Sequence, residues 1–228
     1  MARHGKRYRA DLQKAPERDK PLPLADAVNH VKAFKNVKFD QSIEVAIWLG
    51  IDAKQADQAV RGSVSLPHGI GKTKRVVAFC SDDKVAACKE AGAVEAGGEE
   101  LVKKIEDGWL DFDVAVASPD MMRVVARLGR ALGPKGLMPS PKSGTVTPNV
   151  VEAVRDYGAG KVEFRNDAGG NVHAVVGKQS FETSQLEENA QAFIDHIMRI
   201  KPAAAKGHYV KQIALSGTMT PGVLVEVP

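Results

Sequence analysis

The stretch that most limits how this chain can fold is residues 38–52, KFDQSIEVAIWLGID. From residue 43 every second position is apolar: Ile43, Val45, Ile47, Leu49 and Ile51. Successive side chains of a strand point to opposite faces, so these residues line one buried face. Wound into a helix they would spread around the whole circumference and bury nothing coherent. Ser42, Glu44, Ala46 and Trp48 take the opposite face, which is mixed and open to a ligand. The expectation is a sheet domain organised around this strand, with the chain leaving to form a second domain and then returning.

Ahead of the strand, Pro21-Leu22-Pro23 opens a stretch with Leu24, Ala27, Val28, Val31 and Phe34 at helical spacing. Proline suits a helix start because its missing N–H would be unpaired there. Residues 52–59 read as a short helical turn and 60–66 (VRGSVSL) as a second strand. Pro67, Gly69 and Gly71 then break regular structure, and the pattern changes. Short apolar strands at 75–80 (RVVAFC), 94–96 and 113–117 (DVAVA) alternate with helices at about 84–91, 99–107 and 121–128. Such alternation marks βαβ units on a parallel sheet, and predicts a three-layer, Rossmann-like α/β domain over 67–159.

After a break at Gly158-Ala159-Gly160, strands return at 161–165 (KVEFR) and 172–176, joined by a loop with hairpin residues. Ser184 and Glu187 read as a capping box for a helix to about residue 200. Leu186, Ala190, Phe193, Ile194 and Ile197 would face inward, and Pro202 would stop the helix. Strands at 209–216 and 223–227 end the chain. The fold class is therefore α+β, a split antiparallel sheet with helices over 1–66 and 160–228, interrupted by the α/β insert. Two chain crossings would make a double hinge that permits motion between the domains.

With 43% hydrophobic and 26% charged residues among 228, the chain is ordinary for a globular protein with real cores. No apolar run approaches the roughly 20 residues needed to span a bilayer, and no secretory signal or transit peptide is expected at the N-terminus. Cys80 and Cys88 are too few for a disulfide framework, and read as reduced, partly buried thiols of a cytoplasmic protein. The net charge of +4 lies in residues 1–20, where Arg3, Lys6, Arg7, Arg9, Lys14, Arg18 and Lys20 face three acids. A second basic segment holds Arg123, Arg127, Arg130, Lys135 and Lys142 in the acid-free stretch between Asp120 and Glu152. Both suit a polyanion such as RNA; a solvated tail and an incidental charge run are the plainer alternative.

Catalytic patterns are weak throughout. Gly69-Ile70-Gly71-Lys72-Thr73 resembles the end of a phosphate-binding loop, but Leu66 stands where the first Gly belongs, and a strand follows where a helix must open. The dinucleotide fingerprint is missing after 75–80, where Ser81-Asp82-Asp83 would repel a pyrophosphate. The six histidines show no i,i+3 or i,i+4 pairing, so no metal and no cofactor is expected. Acid pairs such as Glu99-Glu100 and Glu187-Glu188 fall in first turns of helices, where the dipole favours them.

Residues 129–147 hold four Gly, three Pro and the cations Arg130, Lys135 and Lys142, and read as a long irregular loop. Cations on a restrained loop lose less entropy on meeting phosphates. The segment GRALGPKGLMPSPKSGTV resembles the signature of the bacterial large-subunit ribosomal protein L-one family. HGKRYR, KFDQSIEVAIWLGID, SLPHGIGK, GWLDFDVAVASPDMM, VEFRNDAGGNVHAVVGKQSF and AKGHYVKQIALSGTM resemble that family in the same order, so the likeness spans essentially the whole chain.

The resemblance implies a non-enzymatic constituent of the large subunit. Proteins of that family bind a helical region of large-subunit ribosomal RNA and form the mobile stalk beside the exit-site tRNA. They commonly also repress translation by binding a mimic of that site on their own operon mRNA. Carried across, the RNA-binding residues are Lys38, Phe39, Ser42 and Glu44 in one segment and Ser216, Thr218 and Met219 in another. Lys178, Arg130 and Lys135 form a second tier. The chemistry fits double-helical RNA, whose shallow minor groove exposes 2′-hydroxyls. Hydroxyls of Ser42, Ser216 and Thr218 can meet them, Glu44 can accept, Lys38 can reach phosphate, and Phe39 and Met219 can lie on sugars and bases. Read alone, Phe39 is a core aromatic and Met219 a gap-filling turn residue.

The family usually has Gly after the Thr-Met pair, where this chain has Thr220 followed by Pro221-Gly222, so a Cβ narrows any backbone approach there. Other ribosomal components are implied partners, with no membrane, and the chain is expected to be a monomer off the ribosome. Two rivals remain on the residues alone: a DNA-associated regulator, for which no groove-reading helix is evident, and a nucleotide hydrolase built on residues 69–73.

Overall fold

The computed structural model describes residues 5–17, 20–34 and 37–227; Arg3, His4 and Arg18 of the basic N-terminal stretch lie outside them. In chain order the elements are α1 (Lys6–Lys14), α2 (Leu24–Ala33), β1 (Ser42–Leu49), β2 (Arg61–Val64), β3 (Val76–Phe79), α3 (Asp82–Glu90), β4 (Glu95–Gly97) and α4 (Glu99–Glu106). Then follow β5 (Val114–Ala117), α5 (Met122–Val125), α6 (Gly129–Leu132), α7 (Val150–Gly158), β6 (Val162–Arg165), β7 (Asn171–Lys178), α8 (Thr183–Arg199), β8 (Val210–Gly217) and β9 (Val223–Val225). They fall into two compact units, one of residues 1–71 with 162–228 and one of residues 72–161.

In the first unit β1 is a central strand of an antiparallel sheet ordered β7-β1-β8-β9. Ile43, Val45, Ile47 and Leu49 are buried with Val172, Ala174 and Val176 of β7 and Ile213 and Leu215 of β8. Ala27, Val28 and Val31 of α2 and Leu186, Ala190, Phe193, Ile194 and Ile197 of α8 complete that core. The period-2 pattern of β1 thus meets the period-3.6 faces of two helices. The ring of Phe193 meets Phe164 of β6 edge-on at 5.6 Å.

Several expectations about this unit are corrected. Strands β6 and β7 do not form a hairpin with each other: β6 pairs with β2, and β7 with β1. The intervening Asp167 carboxylate instead accepts from the backbone N–H groups of Gly169 and Asn171, so it turns the chain from one sheet into the other. The capping box of α8 is set two residues earlier, on Glu182 and Gln185; the Gln185 side chain accepts from the Glu182 N–H at 3.1 Å. Residues 52–59 form turns closed by the Asp52, Gln55 and Gln58 side chains, with no helix. The N-terminal basic stretch is helical over α1, with Asp11 buried.

In the second unit the parallel sheet is ordered β4-β3-β5, with helices on both faces. Val76, Ala78 and Cys80 pack with Cys88 of α3 and with Val150, Ala153, Val154 and Tyr157 of α7. Val77 and Phe79 pack with Leu101, Val102 and Ile105 of α4 and with Val125, Leu128 and Leu132. Helix α7 is absent from the sequence-based expectations, although its four buried residues stand at i, i+3, i+4 and i+7. The expected helix at 121–128 is broken into short α and 3-10 turns, and residues 129–132 of the supposed irregular loop are helical. Both thiols are free and completely buried rather than partly so.

Candidate nucleic-acid interface

At one end of the first sheet, three chain segments are tied together by backbone and side-chain hydrogen bonds. In the β1–β8 ladder Ile43 stands opposite Gly217 and Glu44 opposite Ser216. Just beyond it the Thr218 N–H donates to the Ser42 carbonyl at 3.0 Å, and the Ser42 N–H donates to the Thr218 hydroxyl at 3.1 Å. Lys178, opposite Ser42 on β7, donates from Nζ to the Ser42 hydroxyl at 2.9 Å. Residues 38–44, 178–180 and 216–220 therefore form one surface.

Gln41 organises that surface and has no counterpart among the sequence-derived candidates. It is fully buried; its Oε1 accepts from the Met219 N–H at 2.9 Å and its Nε2 donates to Gln179 at 2.9 Å. Asp40 adds two bonds from Ser180, through the backbone N–H and the hydroxyl. Arg7 of α1 donates to the Met219 carbonyl at 2.9 Å, so a residue of the N-terminal stretch reaches the same turn. The basic character of that stretch was a sequence signal; its placement was not.

This scaffold leaves two large apolar side chains outside. Phe39 is 53% exposed and Met219 50% exposed, so neither fills a core. Lys38 and Thr218 are exposed, and Ser42, Glu44, Lys178 and Ser216 are half-buried. Apolar contact, hydroxyls and cations are thus gathered on a hydrogen-bonded backbone, which lowers the backbone ordering cost of binding.

Thr220 turns inward. It is 9% exposed, and its hydroxyl accepts from the Gly217 N–H at 2.8 Å. Among the described residues only glycines have a left-handed φ, so the Cβ of Thr220 imposes no backbone strain. The side chain closes the turn instead of standing on its outer face.

Arg130 and Lys135 belong to the second unit, where both are exposed on the segment after α5. That segment is restrained. The buried Thr145 hydroxyl accepts from the Ser140 N–H at 2.8 Å, the Tyr157 hydroxyl donates to the Ser143 carbonyl at 2.8 Å, and Gly136 and Gly144 adopt left-handed turns. Residues 69–73 open no helix; the next element is β3, and Gly71 packs so closely on Phe181 that a Cβ would approach it to 2.8 Å. No cluster of metal-ligating side chains occurs among the described residues.

What fold and surface define is an α+β unit interrupted by an α/β unit, with a pre-ordered polar and apolar edge. The profile of the ribosomal protein L1p/L10e family matches residues 31–221. The chain is 57% identical over 225 residues to large ribosomal subunit protein uL1 of Rhodopirellula baltica, covering 99% of each chain. It is 51% identical over 221 residues to the uL1 protein of a Nocardioides species, covering 97% of this chain and 92% of the relative. The Protochlamydia amoebophila uL1 protein is 48% identical over 227 residues, with 100% and 96% covered. This chain belongs to the ribosomal protein L1p/L10e family, and so to the structural, non-enzymatic proteins of the large ribosomal subunit.

Proposed function

We propose that the first unit binds double-helical ribosomal RNA of the large subunit through Lys38, Phe39, Ser42, Glu44, Lys178, Ser216, Thr218 and Met219. The observation that carries this reading is the exposure of Phe39 and Met219 on a hydrogen-bonded scaffold, flanked by hydroxyls and cations. A half-exposed Phe costs solvation unless something covers it, and a minor groove offers sugars and 2′-hydroxyls in alternation. In this reading the bound protein forms the mobile stalk of the cytoplasmic ribosome and assists release of deacylated tRNA from the exit site. Arg130 and Lys135 add phosphate contacts from the second unit. The same surface binds a mimic of the site on the protein's own operon mRNA and represses its translation.

The test is a salt titration of binding to a stem-loop from the stalk region of large-subunit ribosomal RNA, an equally long DNA duplex and a scrambled RNA. Purely electrostatic binding weakens steeply with salt and treats the three alike. The expected result is an advantage for the stalk RNA that persists at high salt and disappears in Phe39→Ala and Met219→Ala. Equal binding of all three, unaffected by either substitution, would place the RNA surface elsewhere.

A further inference from the structure

The same open face of β1 carries a second feature at its other end. Trp48 lies six residues beyond Ser42 on that face, about 20 Å along the strand at ordinary strand rise. It is 44% exposed. Opposite it on β8 the ladder slips: Trp48 pairs with Gln212 but Leu49 with Val210, so Lys211 is the extra residue of a β-bulge. A bulge re-aims a side chain, and here Lys211 Nζ comes to 4.7 Å from the centroid of the Trp48 ring. Gly50 leaves room for this, since a Cβ there would press on the His208 carbonyl and the Lys211 stem. Lys211 has no ion-pair partner among the described residues. Exposed His173 and Gln212 lie on the same face.

From this we propose that Trp48 and Lys211 form a second RNA contact, in which an unpaired base stacks on the indole and Lys211 meets the neighbouring phosphate. The inference rests on the RNA-binding reading of the Phe39–Met219 end, with which this patch shares a strand and a face. A flat ring under a cation that no carboxylate holds among the described residues suits a single-stranded nucleotide, since every base has a π-face and every linkage a negative charge that can draw the ammonium off the ring. A double helix cannot use the ring, because its bases are already stacked. The two ends therefore divide the work: hydroxyls and apolar tips for the helix, an aromatic platform for nucleotides that leave it.

Trp48 and Trp109 are the two tryptophans of the chain, so Trp109→Phe leaves Trp48 as a sole fluorescent reporter. In that background, binding is measured for a blunt-ended two-stranded duplex of the stalk helix, which has no unpaired bases, and for the same duplex with adenine overhangs at both ends. The overhangs should quench Trp48 and tighten binding by about tenfold, within the range of one base–aromatic stack. Trp48→Ala should lose that gain and leave the blunt helix unaffected, while Trp48→Phe keeps most of it. Lys211→Ala should lower the gain and its salt dependence. Circular dichroism checks each fold, and Trp48→Phe with Lys211→Ala carries the test if Trp48→Ala does not fold. Overhangs that neither quench nor tighten, or a gain that survives Trp48→Ala, overturn the proposal. If Phe39→Ala still abolishes blunt-helix binding in that case, only the Trp48 contact fails and the patch suits a protein neighbour instead. If Phe39→Ala changes nothing either, the RNA reading itself fails.

Discussion

Gln41 shows how one buried amide can matter more to a surface than the residues displayed on it. Replacing it with Leu leaves the Met219 N–H without its acceptor and removes one partner of Gln179. A fully buried donor left without its partner costs about 1–3 kcal/mol, and this part-buried one at most that. Gln41→Leu should therefore destabilise the first unit by up to that amount, read as a lower urea midpoint, and weaken the proposed stalk-RNA binding, although residue 41 itself is buried. His196 supplies a pH handle. It stacks edge-on against Phe164 at 5.6 Å, and burial, with a smaller push from Arg199, holds its imidazole below the usual 6.5. The folded pKa lies below the unfolded one, so its stabilising effect is present above 6.5 and lost as pH falls through the folded value. His196→Phe should flatten the fall in Tm as pH drops below about 6.5, which a pH series of thermal melts reads directly; an unchanged slope would assign the fall to another group.

Among the elements, α8 and β1 were legible because each has one buried face and a period that names it. Partner choice was not legible, because it depends on residues distant in sequence. Strand β6 runs into the turn before β7 closely enough to look like half of a hairpin, yet Val162–Arg165 pairs with β2 about a hundred residues earlier. The helix α8 also holds an internal polar device. Asn189, fully buried, accepts from the His68 N–H at 3.0 Å and donates to the Gly69 and Val176 carbonyls at 2.9 and 2.8 Å. Three backbone groups thus depend on one side chain. Asn189→Leu should cost about 3 kcal/mol or more, seen as a lower denaturation midpoint with an unchanged m value. A cost under about 1 kcal/mol would mean that water replaces the amide.

For the whole molecule, the two units offer separate reporters. Cys80 and Cys88 are both buried in the second unit, and burial, with the neighbouring Cys88, pushes the Cys80 thiol up to about 12. A thiol kept protonated and out of solvent reacts slowly. A thiol reagent should therefore label the native protein only as the second unit opens. Phe193→Ala, a core truncation in the first unit worth about 3–5 kcal/mol, should leave that labelling rate unchanged. Faster labelling would show that the second unit depends on the first for its stability.

The sequence by itself determined what periodicity and composition can carry: the buried face of β1, the inward face of α8, the strand–helix alternation of residues 75–117, and the absence of a phosphate loop at residues 69–73. The candidate residues Phe39, Ser42, Thr218 and Met219 came from a likeness of motifs, since an isolated Phe or Met reads as core. Only the tertiary structure decided that Phe39 and Met219 stand outside, that Gln41 and Arg7 hold the Met219 turn, and that Lys211 lies over Trp48. The physical reason is the same each time. Burial patterns are local and repeat along the chain, whereas a hydrogen bond between residues 41 and 219, or a bulge that turns one lysine, depends on which strands meet and in which register.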